Sequence, residues 1–199
     1  ARANEIIQGF RMLTLVSGQP GYLARGVALG HGVGYEERSG AHTRDLWAQG
    51  VGEFQHLRYR GGPSHHNYDQ VFRGLGTYYF VAADDAQKEA IRAIISDMSN
   101  WAHLAHDMRV MHLGGKNEST VLIGGWRGLD GNTEPSGGSL MATTGLKIAY
   151  TITGNKEVEA LYNKWVDTLG YRDETRTAKP IMGSGRGNYD DTDHLLGDL

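Results

Sequence analysis

The sequence predicts a mainly α-helical protein of antiparallel helical hairpins, with long glycine-rich loops and short strands. Three observations carry that prediction. Apolar residues recur at three- and four-residue spacing in several segments, whereas one short run alternates as a strand does. Pairs of these segments are joined by tight turns of small or polar residues, VAADDAQKEA over 81–90 and TITGNKEVEA over 151–160. Glycine stands at 29 of 199 residues, about twice the usual ~7%. Its clusters at 26–40, 50–62, 114–138 and 183–187 read as ordered loops between helices.

The first helix is expected over 1–16, where Ile6, Ile7, Phe10, Leu13 and Val16 share a face and Ser17-Gly18-Gln19-Pro20-Gly21 stops it. From Tyr22 to Arg60 little helical period remains, and EFQHLRY over Glu53–Tyr59 alternates as a short strand. Gly61-Gly62-Pro63 breaks the chain again, and Ser64 occupies an N-cap position. His65, His66, Asn67, Tyr68 and Asp69 then fill the opening of a helix that carries Val71, Phe72, Leu75, Tyr79 and Phe80 and ends near Ala83. Asp84 or Asp85 caps the next helix, whose Ile91, Ile94, Ile95, Met98, Trp101 and Leu104 form the clearest apolar stripe. Val110–Trp126 is β-like or irregular, and DGNTEPSGG over 130–138 is a loop. Helices are expected over 139–151 and 156–169, with Val158, Leu161, Tyr162 and Trp165 inward and Gly170 as C-cap. Asp190 opens a last helix.

Composition excludes several chemistries. The absence of cysteine removes disulfides, thiolate metal sites and thiol nucleophiles. A net charge of −3 with no basic cluster gives no footprint for nucleic acid. No run approaches the roughly 18 apolar residues of a membrane span. The reading is of a single helical domain over 1–199, or part of one.

Four segments carry a resemblance: LVSGQPGYLARG, YRGGPSHHNYDQVFRGLGTYYFVAADD, GLKIAYTITGN and GNYDDTDHLLGDL, in that order. Together they resemble bacterial proteins of the (α/α) toroid, or six-hairpin glycosidase-like, type. In that type an early helix leaves through a TG-x-PG-x-x-AR element, and inner helices open on short Ser/Asp/Asn-rich elements. The resemblance implies a toroid-type arrangement of α-hairpins and a carbohydrate-active, glycoside hydrolase-like protein, secreted or periplasmic. A complete ring needs more helices than this length supplies. A further chain segment or a partner subunit is therefore expected to complete the helical layer, leaving Leu195, Leu196 and Leu199 to be covered.

The candidate site follows from the helix mouths. Asp69, with Asp190 or Asp191, supplies paired carboxylates such as inverting hydrolysis places about 6.5–9.5 Å apart, and His66 is a candidate for sharing proton transfer. His65, Asn67, Tyr68, Arg44, Trp47, Tyr59, Trp126 and His194 are candidate substrate-binding residues, with Tyr35 a further loop aromatic. Aromatic rings suit the apolar faces of sugars, and Arg44 and Arg25 suit acidic ones. No cofactor or metal site is expected. Calcium is the ion that DGNTEP or the acidic run Asp190–Asp193 suits best, and His103, His106 and His112 form a weaker metal candidate.

Two other readings stand beside hydrolysis. A polysaccharide lyase on the same scaffold draws on His66, Asn67 and Tyr68. A non-catalytic extracellular assembly or binding protein keeps the scaffold without turnover. Each structural role has its own bland counterpart: Ser64 caps, Asp69 complements the helix dipole, and the acids at 190–193 over-cap a helix.

Overall fold

A computed structural model describes residues 2–29, 47–106, 108–111, 120–122 and 137–168. These residues are mainly helical, with a small antiparallel sheet, as the apolar spacing predicts. Five helices are described: α1 Arg2–Leu15, α2 His65–Val81, α3 Asp85–Ser99, α4 Gly137–Thr153 and α5 Lys156–Asn163. Both hairpin turns form where the sequence places them. Asp84 caps α3 by accepting from Gln87 N at 2.8 Å, while the Gln87 side chain accepts from Asp84 N at 3.1 Å. Asn155 caps α5 by accepting from the amides of Glu157 and Val158.

Two helices change pitch at their ends. α3 runs into a π-helical segment, Asn100–Ala105, and α5 into another, Lys164–Thr168. The stripe from Ile91 to Leu104 therefore spans two helical forms. Beyond the first π segment Met108 takes φ 62°, buried and left-handed, and turns the chain into β4, Arg109–Met111, which pairs with β5, Thr120–Leu122.

The described residues between Tyr22 and Arg60 hold more order than the lack of helical period suggests. β1 Gly26–Leu29, β2 Trp47–Gln49 and β3 Leu57–Arg60 form an antiparallel sheet in the order β1-β3-β2. The strand expected over Glu53–Tyr59 is thus shorter and later, because Gly52–Phe54 closes a 3-10 turn. Leu57 and Tyr59 face inward, while Arg58 and Arg60 are half-buried on the other face.

Helix directions follow from the contacts. α1 and α3 run parallel: Gln87 donates to Asn4, and further along Asp97 lies near the Arg11 charge. α2 and α4 also run parallel, because Gly145 lies over Phe72 and Gly76 over Ile148. The hairpin turns make α3 antiparallel to α2, and α5 antiparallel to α4. Two sets of opposite direction result, and the N-termini of α2 and α4 lie at one end.

The main core is built between the two sets from Phe72, Leu75, Ile91, Ile95, Met98, Leu146, Val158 and their neighbours. Close approach of α2 to α4 depends on Gly76, where an added Cβ would lie 2.8 Å from Ile148 Cγ2. Arg92 ties the far end: it donates to the carbonyl of Ile152 at 3.1 Å and to Tyr79 Oη at 2.7 Å, linking α2, α3 and α4. A second cluster, Val16, Tyr22, Ala24 and Tyr59, packs the sheet against the exit of α1. Among the described residues no helix is long and apolar enough to cross a membrane.

Candidate functional site

The mouth of α2 is assembled from three chain segments held by two buried tyrosines. Tyr68 Oη accepts from Leu23 N and donates to Gly21 O, each at 3.0 Å. Tyr22 Oη accepts from Gly62 N at 3.0 Å. Each of the two resembling segments, LVSGQPGYLARG and YRGGPSHHNYD, thus anchors the other through a phenol. Burial pushes the Tyr68 hydroxyl far above its ordinary value, so it stays protonated. The fit at Gly21 is close: its φ is 87°, and an added Cβ would lie 2.0 Å from Asp97 O.

Ser64 stands at the N-cap of α2, and the reciprocal contact comes from Asn67, whose Oδ1 accepts from Ser64 N at 2.9 Å and from Ser64 Oγ at 3.1 Å. His65 is the first residue of the helix, and His66 and Asn67 are half-buried. One turn in, Asp69 is 2% exposed and bound by Arg73, whose Nε lies 3.0 Å from Oδ1 and 2.9 Å from Oδ2. The sequence reading gave Asp69 a dipole role or an open catalytic one. The geometry instead encloses it in an ion pair four residues long.

A further buried polar group lies beneath this end. His103, in the π-helical segment, is 1% exposed and stacks on Phe72 with ring centroids 5.0 Å apart. Its Nδ1 lies 2.9 Å from Ser99 Oγ, while Nε2 has no hydrogen-bond partner among the described residues. A proton on Nδ1, donated to Ser99, leaves an unfilled acceptor at Nε2 rather than a buried orphan donor, the less costly arrangement. Desolvation lowers the His103 pKa to about 3, so the ring is neutral.

His106, the second member of the histidine candidate, packs instead on Trp101 at 4.2 Å between centroids. The two histidines have different neighbours, and among the described residues no group of three His, Cys, Asp or Glu is placed to hold a metal ion.

The remaining candidates divide. Tyr59 is 6% exposed, packed edge-on to Tyr22 at 6.3 Å, so it is a core residue of the sheet rather than a loop platform. Trp47 is half-buried on β2, also in a strand rather than a loop. Arg44, Trp126, Asp190, Asp191 and His194 lie outside the described residues, as do Tyr35, His112, Asp130–Glu134 and the leucines near the C-terminus. Sequence reasoning missed Arg73, although Asp-x-x-x-Arg on a helix was the available signal. It also missed the Ser99–His103 pair at the same spacing, and the strand that brings Trp47 beside Arg60.

No protein-family model matches the chain, and no curated protein or solved structure is similar to it at a significant level.

Proposed function

We propose that this is a carbohydrate-active protein of the glycoside hydrolase-like kind, with α-hairpins arranged as in an (α/α) toroid and its site at the common mouth of α2 and α4. One observation carries the reading. Two parallel helices bring their N-termini to one end, and the second turn of α2 there buries the Asp69–Arg73 pair. A buried ion pair adds little net stability over apolar packing, so a polar function for this end is the economical explanation.

In the hydrolytic form Asp69 acts as a charged carboxylate and takes a proton from water, while Asp190 or Asp191 supplies the acid and His66 lines the approach. Substrate binding must then uncover the first turn of α2, since Asp69 is enclosed. A further chain segment or subunit completes the helical layer, and the setting is extracellular or periplasmic.

The enclosure of Asp69 favours a second reading: a protein of the same scaffold that binds glycans without turning them over. The lyase reading gains nothing, because the Tyr68 hydroxyl a proton shuttle would use is committed to Gly21 and Leu23.

A panel of neutral and acidic polysaccharides, assayed for binding and for new reducing ends, tests these readings. Turnover supports hydrolysis, and binding without turnover supports the scaffold role. Ultraviolet-absorbing unsaturated products would revive the lyase. Neither binding nor turnover on any glycan overturns the carbohydrate reading.

A further inference from the structure

We propose that the π-helical exit of α3 is an acid-operated latch: a proton taken up by His103 releases Asn100–Ala105, with Met108 and β4, from α2 and α4 while those helices stay folded. The latch does not depend on the chemistry at the mouth of α2.

Three helices meet at His103. Its ring stacks on Phe72 of α2, and Nδ1 lies 2.9 Å from Ser99 Oγ of α3. Nε2 faces α4, where a Cβ added at Gly145 would lie 3.7 Å away, and it has no hydrogen-bond partner among the described residues. Charged groups on the surrounding helices are engaged elsewhere. Asp69 binds Arg73 on α2, the Lys147 ammonium of α4 lies over Tyr150 and Tyr162, Asp97 of α3 lies near Arg11, and Glu159 binds Lys156 on α5. His106, on the same exit, packs on Trp101.

A proton changes what this site must satisfy. Both ring nitrogens of an imidazolium are donors. The Ser99 hydroxyl accepts from one, and Gly145 has no side chain to accept from the other. The closed site would then hold a buried charge without a counter-charge and an orphan N–H, both costly.

The backbone makes a local answer available. The His103 carbonyl accepts from Met108 N at 3.3 Å, five residues on, and Met108 takes φ 62°. A π turn is rare and often functional, and a left-handed residue other than glycine is disfavoured. Packing holds both in place, since Ala102 and Met108 are fully buried. A return to α pitch turns a following residue by about 100° around the axis, enough to carry the ring off Phe72. Burial keeps the pKa of the closed site at about 3, below the ordinary 6.5 of an opened ring. The latch is therefore shut above about pH 6.5, and opening grows about tenfold per unit as pH falls from there towards 3.

Native-state hydrogen exchange between about pH 7 and 4, corrected for the intrinsic pH dependence of amide exchange, tests this. Amides of Asn100–Ala105 and β4 are expected to exchange through a smaller opening than those of α4, one insensitive to denaturant. That opening grows about tenfold per unit below pH 6.5, and an NMR titration of the His103 ring follows it. His103→Phe keeps a ring and His103→Gln keeps polarity, and neither can titrate. In both variants the opening stays at its neutral-pH level.

Exchange of the segment only together with α4, an opening that does not grow in acid, or acid growth that persists in both variants overturns the latch. So does an opening in which the His103 ring stays neutral. That last comparison uses the unaltered protein, so it decides the matter even if neither variant folds.

Discussion

Tyr68, Gly21 and His103 show how single residues at this end are constrained. Tyr68 satisfies a buried donor and a buried acceptor of the α1 exit with one hydroxyl. Tyr68→Phe strands both, and a loss of about 1–3 kcal/mol is expected for buried groups left unsatisfied, read as a lower denaturation midpoint with an unchanged slope. Gly21→Ala meets a backbone oxygen rather than a flexible side chain. It adds about 1–2 kcal/mol of left-handed strain to that overlap, so folded protein is expected only at reduced temperature.

His103 makes a prediction in pH. Its folded pKa of about 3 lies below the ordinary value of 6.5, so the unfolded chain binds the proton first. Its contribution is therefore intact above about pH 6.5 and is lost as pH falls from there towards 3, by about 1.4 kcal/mol per unit. His103→Phe keeps a ring against Phe72 and removes the titration. Chemical denaturation at several pH values should show a flatter acid limb in the variant, whatever its stability at neutral pH.

At the scale of elements, the pairing of α2 with α4 decides what the Asp69 substitution means. From the sequence, Asp69→Asn looks isosteric and should leave melting almost unchanged. The Arg73 contact reverses that expectation: the variant leaves a buried guanidinium without its carboxylate, a loss of about 3–5 kcal/mol. The double variant Asp69→Leu, Arg73→Met replaces the pair by apolar groups and should recover most of the melting temperature. If the pair serves a hydrolytic site, the recovered protein is stable and inactive, with turnover reduced about 10²–10⁴-fold. Full turnover in that double variant would confine the pair to structure.

Gly76→Ala probes the same helix pair from its other half. The added methyl overlaps Ile148 Cγ2 at 2.8 Å, and overpacking of this kind destabilises by about 1–3 kcal/mol. Ile148→Ala removes that γ carbon, so Gly76→Ala should cost less in the Ile148→Ala background than in the unaltered protein, read as a smaller drop in melting temperature.

At the scale of the whole molecule, buried apolar residues are concentrated on α2, α3 and α4, while the sheet rests on a smaller cluster around Tyr22 and Tyr59. Native-state hydrogen exchange should therefore find the slowest amides in α3 and α4, exchanging only by global opening, and faster ones in β1 and β2. Equal protection throughout would mean that the two clusters open as one unit.

Helix existence and hairpin turns were legible in the sequence because both are local. A 3.6-residue stripe and a capping Asp84 or Asn155 act within a few residues of chain, so the pattern alone places α3 and α5. Their ends were less legible, since the change to π-helical pitch at Asn100 and Lys164 leaves the apolar spacing nearly intact. Of the sheet only β3 was legible, in part, as the alternation over Glu53–Tyr59; β1 and β2, of four and three residues, are too short to show a period. β1 and β2 are defined by their partner β3, not by their own residues. The candidate site divides in the same way. Sequence alone singled out the Ser64–Asp69 helix mouth, because capping chemistry and turn breakers are written in consecutive residues. Only the tertiary structure decided that Asp69 is enclosed by Arg73, that Tyr68 and Tyr59 belong to the core, and that Trp47 stands beside Arg60, because burial and pairing depend on which distant segments close over a residue.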